Sequence, residues 1–71
     1  MQPDEGDYRS DEAYEGVARN ERGPATAETL AEAISQAWDK GKHRHKSFRV
    51  AEITVTGENP ISEYRVVLRP R

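Results

Sequence analysis

At 71 residues, with apolar and charged side chains each making up 34% and a formal charge of −2, the chain holds material for one small domain and no more. A chain of this size buries only about 60% of its unfolded surface. With no cysteine it has neither a disulfide framework nor a thiolate zinc site to reinforce the core, which leaves self-association as the common way to add buried area.

The charges are segregated. Residues 1–39 carry ten acids against three bases, and residues 40–71 carry eight bases against three acids. Such asymmetry suits either a basic binding face or two halves that attract each other once folded. No apolar run is long enough to span a bilayer, and the amino terminus is acidic where a secretory signal would be basic and then apolar. A cytoplasmic protein without a membrane partner is expected.

Residues 1–12 hold five acids, Pro3, Gly6 and Tyr8 as the one aromatic, too little apolar surface to offset the entropy of ordering, so a flexible acidic tail is expected there. Residues 13–71 are expected to form a single α+β domain. Within it, Ala13 to Asn20 fits a short helix or a weak strand; a strand is preferred because it gives the hairpin downstream a third partner, and two strands alone are marginal in water. Beyond the Gly23-Pro24 breaker, Leu30, Ala33, Ile34, Ala37 and Trp38 recur at the helical period. Thr26 suits the N-cap, Glu28 and Lys40 complement the two ends of the dipole, and Gly41 suits a left-handed closing position, which predicts a helix over 27–40 with Glu32, Gln36 and Asp39 wet.

Lys42 to Lys46 is polar and connecting. Ser47 to Thr56 is rich in β-branched residues, Gly57 to Pro60 reads as a turn, and Ile61 to Arg69 as a second strand. In that second strand Tyr64, Val66 and Leu68 share one face, which the helix is expected to cover. In the first, Phe48 and Val50 share one parity while Ala51, Ile53 and Val55 share the other. A bulge near Ala51 to Glu52, or burial on both faces, reconciles the two. The fold class is therefore α+β: a βαββ chain with one amphipathic helix packed on a small antiparallel sheet.

Nothing in the chain points to catalysis: there is no cysteine nucleophile, no glycine-rich phosphate loop and no Gly-x-Ser-x-Gly elbow. His43 and His45 form a His-x-His pair, but Lys42, Arg44 and Lys46 around them oppose a divalent cation, and no metal site is expected. The same segment, with Lys40, Lys42, Arg44, Lys46 and Arg49, is the densest basic feature and would suit phosphates as a nucleic-acid-binding or regulatory surface. An ordinary charged loop, neutralised within an assembly or by the acidic half, is the preferred reading of the segment. Trp38 serves either core or subunit packing, or the stacking of a flat ligand.

Tyr14-Glu15-Gly16, the helix around Leu30 to Trp38, Phe48-Arg49-Val50-Ala51-Glu52-Ile53 and Glu63-Tyr64-Arg65-Val66-Val67-Leu68 together resemble the dodecin family of small βαββ proteins, over about fifty-five residues. Dodecins are hollow dodecamers that store flavins, so the resemblance implies a homo-oligomer and makes a flavin the one candidate cofactor. The flavin-contacting positions differ. Ser47 stands where the family stacks the ring on a tryptophan, Arg65 stands where it has a glutamine, and Trp38 lies on the helix. A non-catalytic, self-associating binding protein is expected, with Trp38, Ser47 and Arg65 as the ligand-binding candidates and a small flat ligand or a protein as its partner. The alternative is the nucleic-acid reading of Lys40 to Arg49.

Overall fold

The computed structural model describes residues 12–71, which form four elements in the order β1 (Tyr14–Arg19), α1 (Ala27–Gly41), β2 (Phe48–Gly57) and β3 (Ile61–Pro70). The strands make one antiparallel sheet in the order β1-β3-β2, with α1 packed on one face, so the chain is the expected α+β βαββ unit. The tail expected over 1–12 falls almost wholly outside the described residues. Its last member, Glu12, is held against the folded body.

Residues 14–19 form a strand, the preferred of the two readings. Glu15, Val17 and Arg19 stay exposed while Gly16 and Ala18 are buried under the helix. Gly16 is the point of closest approach. A Cβ there would overlap the Ala33 carbonyl oxygen and stand 2.8 Å from Ala37 N, so the helix backbone lies directly on the strand.

That approach sets the helix face. The residues buried along α1 are Thr29, Ala33, Ala37 and Gly41, a row of small side chains at spacing four. Leu30 and Ile34 are half-buried beside this row, and Trp38 is 39% exposed. The apolar stripe read from the sequence is thus rotated toward its small members, because bulky side chains on the contact line would hold helix and strand apart.

Thr26 caps α1 as expected. Its hydroxyl accepts from Thr29 N–H at 3.4 Å, while Thr29 Oγ1 accepts from Thr26 N–H at 3.0 Å, a reciprocal box that uses two orphan donors. The expected left-handed closure at Gly41 is corrected. Gly41 is the last helical residue, and Lys42 closes the helix at φ −64 and ψ −20 with its N–H donating to Trp38 O at 2.8 Å. Glycine is needed there for space, since a Cβ would meet the Tyr14 and Phe48 rings at 2.7–2.8 Å.

In the sheet, Tyr14, Gly16 and Ala18 of β1 stand opposite Leu68, Val66 and Tyr64 of β3, which in turn stand opposite Val50, Ile53 and Val55 of β2. Directly paired residues point to the same side, so these nine form the helix-side face. The register shifts between Val50 and Glu52, so Ala51 is the extra residue of a bulge; this is the first of the two alternatives read from the sequence, and it returns Ile53 and Val55 to the side of Val50. The hairpin closes through Gly57 at φ 150, a conformation that favours glycine, and through Asn59 and a cis Asn59-Pro60 bond.

The buried apolar core is Ala18, Ala33, Ala37, Val66 and Leu68, ringed by Tyr14, Leu30, Ile34, Phe48 and Tyr64. Only two of the five exceed alanine in size. The radius of gyration is 14.2 Å, against about 10–11 Å for a compact chain of this length. Among the described residues no helix is long and apolar enough to cross a membrane.

Candidate functional site

The two flanks of α1 do different things. On one flank Gln36 Oε1 accepts Val17 N–H at 3.1 Å and Lys40 Nζ donates to Glu15 O at 2.7 Å, so this side overhangs the outer edge of β1. The other flank carries Leu30, Ile34 and Trp38 and looks toward β2, where Trp38 meets Phe48 edge-on with ring centroids 5.2 Å apart. The helix sits over β1 and β3 and leaves β2 uncovered.

An apolar step results. Its floor is Val50, Ile53 and Val55, exposed by 47%, 45% and 48%, and its wall is the Leu30–Ile34–Trp38 flank. Every residue of β2 is exposed except Phe48, which is half-buried. Alternating β-branched strands normally hide one face, so the step is apolar surface without cover in the single chain.

Phe48 closes one end of the step and joins it to a polar cluster. Its ring lies edge-on to Tyr14 at 5.9 Å and to His45 at 5.9 Å. Glu12 gathers the polar ends of this group: Tyr14 OH donates to its Oε2 at 2.8 Å, His45 Nε2 stands 3.0 Å from its Oε1, and Arg44 lies 3.4 Å away. The bond from Tyr14, then that from His45, holds the Glu12 carboxyl below the ordinary carboxylate value. In return the Glu12 carboxylate, as acceptor of the phenol proton, pushes Tyr14 above its usual value.

The sequence-derived ligand candidates do not converge in the single chain. Trp38 borders the step, and Ser47 is exposed beside Phe48 with its carbonyl accepting Arg71 N–H at 3.1 Å. Arg65 lies on the reverse face, opposite Val17 and Thr54, and pairs with Glu15 at 3.2 Å. The strand period causes this separation, since Arg65 sits between the inward Tyr64 and Val66.

The basic run is dispersed as well. Lys40 is spent on the β1 edge, Lys42 pairs with Asp39 at 3.1 Å, and Arg44 pairs with Glu12. Lys46 is exposed in the loop, while Arg49 lies on the reverse face opposite Arg69. Most of the partners are acids of the first half of the chain, so the segregated charges attract each other in the fold.

Among known proteins, no family model matches the chain, and neither a curated protein nor a solved structure does. The dodecin resemblance rests on the residues quoted for it.

A shallow cleft of about 370 Å³ near the start of α1 is lined by Arg19, Asn20, Thr26, Glu28, Thr29 and Glu32, and it is open and polar. Among the described residues no three His, Asp or Glu side chains are grouped as metal ligands. The features that sequence reading missed are the uncovered row Val50, Ile53 and Val55, the capping of β1 by Gln36 and Lys40, and the gathering at Glu12. The parity change at Ala51 signalled the first of these, but nothing in the sequence says that a row sharing the helix side escapes the helix.

Proposed function

We propose that this is a non-catalytic, self-associating binding protein of dodecin-like architecture, in which copies of the chain cover one another's β2 and the assembled face holds a small flat ligand or a protein partner. The observation that carries the reading is the row Val50, Ile53 and Val55, left uncovered although it shares the helix side of the sheet.

Magnitudes support it. These three side chains and Trp38 leave about 300 Å² of apolar surface exposed, on the order of 8 kcal/mol if wholly covered at about 25 cal/mol per Å². That area suits the apolar centre of an interface of about 800 Å² per partner. A core with only Val66 and Leu68 above alanine size gives the chain reason to seek that cover.

A nucleic-acid role has weaker support, because Lys40, Lys42 and Arg44 are engaged within the chain and Arg49 lies on the other side of the sheet from Trp38. Sedimentation equilibrium with native mass measurement tests the proposal. Assemblies of integral multiples of 8.0 kDa are expected at micromolar concentration, and a clean monomer of that mass overturns it.

A further inference from the structure

The sheet has two edges, and the fold treats them differently. Along β1 the side chains of Gln36 and Lys40 occupy Val17 N–H and Glu15 C=O, so that edge is already engaged. The other edge is β2, ten residues long, and half of its backbone N–H and C=O groups necessarily point away from β3. Edges are usually blunted by lysine, proline or a bulge. From Glu52 to Thr56 there is neither lysine nor proline, the register shifts lie before this stretch at Val50/Glu52 and after it at Thr56/Gly57, and Ile53-Thr54-Val55-Thr56 is β-branched throughout.

We infer that β2 pairs antiparallel with β2 of a second copy, about a two-fold axis normal to the sheet at Thr54. The inference rests on the self-association proposed above and specifies its contact. With Thr54 opposite its own copy, Ile53 faces Val55 of the second chain, and Val55 faces Ile53, so the apolar row continues across the junction. Glu52 then faces Thr56, whereas an axis two residues earlier would set Glu52 against Glu52.

The pairing also closes. The joined sheet runs β1-β3-β2-β2-β3-β1, and at both of its ends Gln36 and Lys40 occupy Val17 N–H and Glu15 C=O of β1, so pairing by sheet edge ends at two chains instead of continuing as a fibre.

A site appears that neither chain has alone. With strands about 4.8 Å apart and each helix centred over β1 and β3, the two helix axes stand about 19 Å apart, against 8–10 Å for helices in contact. Between them runs a trough about one helix wide. Val50, Ile53 and Val55 of both chains floor it, and Leu30, Ile34 and Trp38 of both chains wall it. A flat aromatic ligand fits a trough of this width and chemistry.

Cysteine placement tests the register, since the chain has no cysteine of its own. In full-length Thr54→Cys the two sulfur-bearing residues face each other with Cα atoms about 4.5–5.5 Å apart, inside the disulfide range, whereas in Thr56→Cys they stand about 14 Å apart. Under mild oxidation at low micromolar concentration, Thr54→Cys is expected to form covalent dimer at least about tenfold faster than Thr56→Cys. Equal linking, preferential linking at 56, or no linking in a population that native mass shows to be oligomeric overturns the edge pairing and leaves self-association standing. Monomers throughout remove both. Hydrogen exchange on the unmodified protein guards against a folding defect in the variants: slow exchange of the β2 amides that do not bond β3 is expected, and fast exchange of all of them overturns the pairing.

Discussion

Replacing Ile53 with lysine separates the stability of the single chain from the stability of its assembly. Ile53 is 45% exposed on an edge strand, so the substitution costs the isolated fold less than about 1 kcal/mol in strand preference. Its remaining surface is about 80 Å², and covering it contributes about 2 kcal/mol per chain at 25 cal/mol per Å². A symmetric pair loses that contribution twice, about 4 kcal/mol, which corresponds to about a thousandfold weaker association. Sedimentation velocity across a dilution series reads the change, and far-ultraviolet circular dichroism checks that the fold persists. Association within about threefold of the unmodified chain refutes the assignment of Ile53 to the covered face. Loss of the circular dichroism signal in the variant shows instead that β2 is needed inside the single chain.

Gly16→Ala drives a methyl into the Ala33 carbonyl, so helix and strand must part; a loss of about 2–3 kcal/mol is expected, measured as a fall in the urea midpoint, and an unchanged midpoint contradicts the direct backbone contact. Glu12→Gln removes the negative charge and one of the two acceptor oxygens that Tyr14, His45 and Arg44 share. Because the folded carboxyl lies below its ordinary value of 4.5, the stability that it adds is present above that value and fades as pH falls through the folded value. Thermal unfolding of the two proteins should therefore differ at neutral pH and converge in acid. Tyr14 acts in the opposite direction: its raised value means that its contribution is present below pH 10 and is lost as pH rises beyond that. For the basic segment, fluorescence anisotropy with short DNA and RNA should show little binding at physiological salt, and tight binding that weakens steeply with added salt would favour the nucleic-acid alternative.

Much of the fold was legible because its periods are simple. Tyr64, Val66 and Leu68 alternate cleanly with Glu63, Arg65 and Val67, and the structure puts the first set under the helix. The helical stripe located α1 to within a residue at its end, and Thr26 marked its start. The parity change in β2 was readable as a bulge because a strand cannot change faces without an extra residue.

What was not legible depends on distance between elements. A sequence shows that Leu30 and Trp38 share a stripe with Ala33 and Ala37, but not that Gly16 draws the helix in so far that only the small residues reach the contact. Gly41 looked like a left-handed stop for the same reason, since its need for space comes from Tyr14 and Phe48, distant in sequence. The candidate trio failed to converge because Ser47 and Arg65 were placed by analogy, while the pleat puts Arg65 on the opposite side of the sheet from Trp38.

The bulge gives β2 an unusual tolerance. Ala51 is set between two correctly facing neighbours, so a chain lacking it would run Val50, Glu52, Ile53 in plain alternation and keep every later side chain where it is. Loss of a residue from Ile53 to Thr56 would instead turn the stretch between the gap and the bulge over, carrying threonines or Glu52 onto the floor of the step. Shortened variants of this strand should accordingly cluster at positions 51 and 52, where one residue can be lost without turning either surface over.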